Sequence, residues 1–329
     1  LAIGISLYFG GQAITAGRLG VGDVVELNTR LIQLAWPTIA MGFIVSVYQR
    51  GKASLARINE VFKAQPDIVD GPIAKHVDGR VEAKALTVEV AKDVVALRDF
   101  TASVERGKVL GVVGKNASGK STLLRALARQ VPSPRGQLFV DDVDVNDWHL
   151  SALHEGIGVV PEDGFLFSAT LRENLAFGRP DASLSDIESV VDLVDLRRDV
   201  SAFPEGLETL VGERGVTLSG GQRQRAALAR AILARPSVLL LDDSLSAVDA
   251  ETEANIVAAL RRGFSNASNA SNASNASNAS NASNAISEGA AMAPTLIVVS
   301  HRLSDVRDAD EIVVLDKGLI IERGKHDAL

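Results

Sequence analysis

Cysteine is absent from this 329-residue chain, which excludes disulfides and thiolate metal sites. The five histidines are scattered without metal-ligand spacing. A basic excess is also missing: 34 Lys and Arg stand against 41 Asp and Glu, for a net charge of −7. A nucleic-acid-binding domain should be basic, so no nucleic-acid partner is expected. There is no initiator Met, and the chain starts at Leu1 inside an apolar run, so it reads as part of a longer protein. No small-residue cleavage site follows a basic start, which excludes a signal peptide. What the chain does have is apolar content, at 46% hydrophobic residues and a mean hydropathy of +0.14, with the excess at the start. The length suits about two domains.

Residues Leu1–Gly17 carry no charge, and neither do Leu31–Gln49. The second run, LIQLAWPTIAMGFIVSVYQ, is about long enough to cross a bilayer as a helix. Pro37 is tolerated in such a helix, and Trp36 and Tyr48 suit the interfaces. Arg50, Lys52 and Arg57 follow closely, which puts Arg50 on the cytoplasmic side and the connector GRLGVGDVVELNTR outside. A buried hairpin of two core helices is the alternative on hydropathy alone. The division expected is a transmembrane part over 1–49, a linker over 50–79 and a soluble domain over 80–329. The linker begins as an amphipathic helix and breaks at Pro66 and Gly71-Pro72.

Beyond the linker, short apolar runs alternate with helical patterns, which predicts an α/β fold. A hairpin is expected through Asp316-Lys317-Gly318. In KVLGVVGKNASGKSTLLRALARQ, a buried-type strand and a helix flank a complete P-loop pattern. Gly114 and Gly119 let the backbone approach phosphates. The loop amides of Lys115, Asn116, Ala117, Ser118 and Thr122 and the helix N-terminus face the anion. Lys120 is expected to reach the β/γ phosphates, and the Ser121 hydroxyl to ligate Mg²⁺. In LLLDDSLSAVDA an apolar strand ends on an acidic pair, and Asp242 is the expected Mg²⁺ ligand, directly or through water.

The stretch VTLSGGQRQRAALARAILARPSVLLLDD sets Leu218-Ser219-Gly220-Gly221-Gln222 before a helix and the acidic strand. This resembles the signature of ABC transporter ATPases. Ser246-Ala247-Val248-Asp249 resembles the family's D-loop, His301 its switch histidine, and Val211–Gly215 the segment before the signature in exporters. The N-terminal part resembles the last transmembrane helices, the end of the fifth and the sixth, and the linker of a type IV ABC exporter half-transporter. The resemblance implies an α/β P-loop NTPase fold, an ABC ATPase domain with helical subdomain, preceded by transmembrane α-helices. It implies ATP and Mg²⁺ as cofactors, with Ser219, Gly220, Gly221 and Gln222 closing on the nucleotide of a second half-transporter chain. It further implies a multi-pass protein of the cell membrane, in contact with lipid, with its ATP-binding domain in the cytoplasm and an unknown exported substrate. A soluble ABC ATPase acting on ribosomes or DNA, and a nucleotide-gated regulatory subunit, are the rival readings.

Four departures from the family pattern bear on the chemistry. Asp243 stands where the family usually has the catalytic glutamate. One methylene less draws the carboxylate back by about 1 Å, a misplacement that can cost about 10²-fold in rate. Glu162 stands where glutamine usually contacts Mg²⁺; it can still ligate the metal through oxygen, and a role as substitute base is the lesser reading. The strand before the P-loop has no aromatic for base stacking, worth about 1–3 kcal/mol by analogy with single-strand binders, and Val90 is the nearest equivalent. Ala117 replaces a frequent glycine inside the P-loop. The signature is intact. A degenerate nucleotide site at Asp243, His301 and Glu162 is therefore expected, with a heterodimer favoured over a homodimer. Seven copies of Ser-Asn-Ala over 265–285 read as a disordered insert.

Overall fold

A computed structural model describes residues 2–212, 218–244, 252, 256–258, 260 and 293–329. The expected D-loop, the Ser-Asn-Ala insert and most of Val211–Gly215 lie outside the described residues. The chain forms two compact units, 1–66 and 67–329.

The first unit holds α1 (Ala2–Thr15) and α2 (Val21–Lys63). They meet where Gly10 faces Val24; a Cβ on Gly10 would lie 2.9 Å from a Val24 methyl. The connector is shorter than the sequence suggests, because α2 already begins at Val21. Asp23 Oδ2 accepts from the Gly20 amide at 2.8 Å, and Glu26 pairs with Arg30 one turn on, so two local contacts start the helix early. The Thr38 hydroxyl donates to Leu34 O beside Pro37. Trp36, Ile39, Met41, Phe43 and Tyr48 are all exposed. In a soluble core hairpin these side chains would be buried. α2 is long and apolar enough to cross a membrane, and none of its most apolar stretch is buried.

The second unit opens with an antiparallel arm, β1 (Val81–Ala91) and β2 (Val94–Val104). Then come β3 (Val109–Gly114), α3 (Lys120–Leu127), β4 (Leu138–Val140), β5 (Val143–Asp144), α4 (Leu150–Gly156) and β6 (Ile157–Val160). Three short helices follow, α5 (Leu171–Ala176), α6 (Leu184–Leu193) and α7 (Arg197–Ala202). The unit ends with α8 (Gly220–Leu233), β7 (Val238–Asp242), β8 (Thr295–Ser300), β9 (Glu311–Asp316) and β10 (Leu319–Gly324).

The larger sheet runs β10-β9-β3-β8-β7-β6 and is parallel except for the edge strand β10. Its central strands are continuous apolar runs because both faces are covered. One core joins the β1–β2 arm, α3, α4 and Trp148 to this sheet; the other joins it to α5–α8. The expected hairpin is present: Lys317 and Gly318 both have positive φ, 49° and 82°, as a type I′ turn requires. α5, α6 and α8 each start in a capping box, from Thr170, Ser183 and Ser219. Parallel order sends the C-terminal ends of β3, β8 and β7 to one edge, where ligand loops of α/β sheets gather.

Entry into β1 depends on Asp141, whose carboxylate accepts from the amides of Asp78, Gly79 and Arg80 at 2.6–2.9 Å. Replacing Asp141 by Ala leaves these donors unmatched. The expected loss is about 2–3 kcal/mol of stability, read as a lowered denaturation midpoint of the second unit.

Candidate functional site

The P-loop leaves β3 at Gly114 and enters α3 at Lys120. Glycine is needed at both ends. A Cβ on Gly114 would lie 2.3 Å from Leu315 O, and one on Gly119 2.4 Å from Ala96 O. Gly119 also has φ +106°, a left-handed conformation that other residues avoid. Ala117 takes a left-handed φ of +62°, so the residue that departs from the family pattern sits where a side chain is strained. Lys115, Asn116 and Ala117 are exposed, while Ser118 is buried and its hydroxyl has no partner among the described residues. Ser121 and Thr122, in the first turn of α3, are half-buried.

The Lys120 ammonium folds back to donate to Gly114 O at 2.7 Å and Lys115 O at 2.8 Å. Burial holds its pKa below the ordinary lysine value, against the opposing pull of Asp242, Asp243 and Glu162. A concave loop closed to side chains, an unpartnered buried hydroxyl and a half-buried ammonium fit the phosphates of a nucleotide. Among the described residues there is no cluster of three or more His, Cys, Asp or Glu that would hold a metal. A Mg²⁺ fits here only with phosphate oxygens completing its shell around Ser121 and Asp242, whose Oγ and Oδ1 lie 3.1 Å apart.

The acidic pair separates in role. Asp242 is the last residue of β7 and reaches Ser121. Asp243 turns into a left-handed conformation, φ +47°, and donates its amide to Val299 O at 2.8 Å. This swings its carboxylate toward the end of β8. There Oδ2 lies 2.7 Å from His301 Nδ1, and Oδ1 lies 3.3 Å from Ser300 Oγ. The same hydroxyl is 2.5 Å from Asp305 Oδ2. One hydroxyl has one proton, so the shorter contact takes it and the 3.3 Å contact is weak. The Asp243–His301 pair is thus the firm one. Sequence reasoning picked out Asp243 and His301 separately and missed Ser300 and Asp305. The only signal for those was a hydroxyl and a carboxylate flanking the histidine in SHRLSD.

Glu162 is exposed, and its peptide carbonyl accepts from Gln224 Nε2 at 3.2 Å. Gly164 lies flush on the backbone of Arg223, where a Cβ would be 2.8 Å away. Residues 162–164 are therefore held on the first turns of α8. Ser219 caps that helix: its hydroxyl accepts from the Gln222 amide at 3.2 Å, and Gln222 Oε1 accepts from the Ser219 amide at 2.9 Å. The other end of the Gln222 carboxamide donates to Asp199 at 2.7 Å, and Asp199 pairs with Arg225. Gln222 shapes the turn, while Ser219 and Gly220 are exposed at its tip. Asp199 was not foreseen from the sequence. Among the described residues no hydrogen bond or ion pair joins residues 219–222 to the P-loop. Val90, the nearest candidate for a base platform, is exposed on β1.

Residues 97–246 match the ABC transporter family. The chain is 35% identical over 328 residues to the probable multidrug resistance ABC transporter ATP-binding/permease protein YheI of Bacillus subtilis, covering 99% of this chain and 52% of that protein. It is 31% identical over 335 residues to the mitochondrial iron-sulfur clusters transporter ATM1 of Kluyveromyces lactis, covering 100% of this chain and 43% of that protein. The solved structure of a bacterial Atm1-family ABC exporter with ATP bound superposes with a TM-score of 0.73 at 29% identity, over 99% of this chain and 52% of that one. The chain spans about half the length of the curated relatives it matches. With the loop, the signature and the acidic strand standing in this geometry, the chain carries an ABC transporter ATP-binding domain.

Proposed function

We propose that this chain is the ATP-binding part of one half-transporter of an ABC exporter, with a slow nucleotide site of its own and an intact signature that completes the site of a different partner chain. The membrane part includes α2, and the ATP-binding domain lies in the cytoplasm. The observation that carries the reading is the 2.7 Å pair between Asp243 and His301.

ATP and Mg²⁺ are the expected ligands. Gly114–Thr122 would cradle the phosphates, with Lys120 neutralising their charge. Ser121 and Asp242, with Glu162 as a further oxygen donor, would hold the metal, which when bound draws charge from the phosphate oxygens. A water attacking phosphate needs a carboxylate or imidazole facing it. Asp243 is short, and in this arrangement its carboxylate is directed to His301 and Ser300. Both features support slow turnover at this chain's own P-loop. Ser219, Gly220 and the N-terminus of α8 are exposed and capped as an anion-binding turn, which suits a nucleotide held by another chain. A faulty site beside an intact signature is an asymmetry that favours a heterodimer.

Three measurements on the intact transporter test this reading. Lys120→Ala is expected to weaken MgATP binding by about 10–10²-fold in an equilibrium titration. Asp243→Glu is expected to raise MgATP turnover of this chain's site, by up to about 10²-fold; an unchanged rate would remove the slow-site reading. Ser219→Ala is expected to spare nucleotide binding at this chain's P-loop and to lower turnover only when the partner chain is present. Loss of turnover in this chain alone would instead support a homodimer.

A further inference from the structure

The P-loop helix α3 ends in an unusual way. The Gln130 amide donates to Arg125 O at 2.8 Å, and the Arg129 amide to Ala126 O at 3.0 Å. This is the Schellman arrangement, whose left-handed position is usually glycine. Here it is Arg129, with φ +49°. A side chain kept at a strained backbone position points to a use for that side chain.

That use is visible in its contacts. Arg129 is only 6% exposed. Its two terminal nitrogens donate to Trp148 O at 2.9 Å and Val69 O at 2.8 Å. Among the described residues it makes no ion pair. Burial accordingly holds its pKa below the ordinary arginine value. Val69 belongs to the linker, and its bond to Arg129 is, among the described residues, the one hydrogen bond between the linker and the α3 segment.

The linker around Val69 is laid along the domain backbone. The Gly71 amide donates to Trp148 O and the Ile73 amide to Asp147 O, both at 2.9 Å. The His149 amide donates to Ile73 O at 2.7 Å, and the Leu150 amide to the Asp70 carboxylate at 2.8 Å. The Trp148 carbonyl thus takes one donor from Arg129 and one from the linker. The fit leaves no room at Gly71, where a Cβ would lie 2.2 Å from the Asp147 carbonyl carbon.

We propose that Arg129 is a coupling pin: it fastens the linker to the tail of the P-loop helix, so that movement of α3 on nucleotide binding is delivered to the chain running back into α2. The helix is eight residues long, about 12 Å, and carries Lys120 at one end with Arg129 just past the other. A short packed helix moves as one body. Displacement at the phosphates therefore reaches the Val69 carbonyl without a flexible joint between them. This inference rests on the ATP-driven reading above.

The test uses the intact transporter in nanodiscs, with wild type, Arg129→Ala, Arg129→Lys and Gly71→Ala. Three quantities are read: hydrogen exchange at the Gly71 and Ile73 amides, MgATP affinity, and the response to MgATP of a nitroxide on Ala53→Cys in α2. No cysteine within residues 1–329 competes for the label. Arg129→Ala is expected to speed linker exchange by about tenfold or more, to leave MgATP affinity unchanged within about threefold and to abolish the label response. Arg129→Lys should resemble it, because one ammonium does not replace a fork spanning two carbonyls. Gly71→Ala should give the same pattern from the linker side with Arg129 intact. A retained label response or unchanged linker exchange in Arg129→Ala overturns the proposal. So does parallel loss of MgATP affinity in both the arginine and glycine variants, which would make the contact general support for the fold. If wild type binds no MgATP, the ATP-driven reading fails instead, and exchange in the nucleotide-free protein still decides whether Arg129 holds the linker.

Discussion

The parallel pairing of β3 with β8, and of β8 with β7, is the constraint on which the site depends. Val113 sits opposite Ser300, and Asp242 opposite Val299. One edge of the sheet therefore presents the P-loop, the histidine turn and the acidic pair together, although Ser121 and Asp242 lie 121 positions apart in the chain. The strands that achieve this are apolar on both faces. Burial on both sides fixes their order, and order fixes which loop ends are neighbours.

On that edge the backbone is held in conformations it would not choose alone. Ala117, Gly119 and Asp243 all have positive φ. A non-glycine residue in this region costs about 1–3 kcal/mol and persists only where its surroundings over-determine it. The surroundings are visible here. Gly119 is pressed against Ala96 O, and the Asp243 amide is tied to Val299 O. The turn at Asp243 also explains how two adjacent aspartates serve different partners. Asp242, at the strand end, meets Ser121; Asp243, past the turn, meets His301.

The two ends of α3 repeat this logic. At its start, glycine yields a cradle with no side chain in the way. At its finish, arginine occupies a position that glycine would fill with less strain, and uses its side chain to hold a carbonyl of the linker. The linker is correspondingly flat, with Gly71 lying directly on Asp147. In the other unit, α2 leaves its apolar side chains exposed over a length that matches a membrane.

Much of this was legible in the residue order. The P-loop, the signature turn and the Lys317-Gly318 hairpin are local, and local chemistry decides them: glycine for positive φ, serine for a helix cap, apolar runs for buried strands. The early start of α2 was not read, because its causes are two contacts within one or two turns, the Asp23 carboxylate reaching back to Gly20 and the Glu26–Arg30 pair. The Asp243–His301 pair and the Arg129–Val69 bond were out of reach for a different reason. Their partners lie 58 and 60 residues apart. Periodicity and motif spacing report backbone conformation and burial over a few turns, so the sequence determined what each segment would be. Which side chains would meet was decided by the tertiary structure, because strand order and register set those distances and no local pattern encodes them.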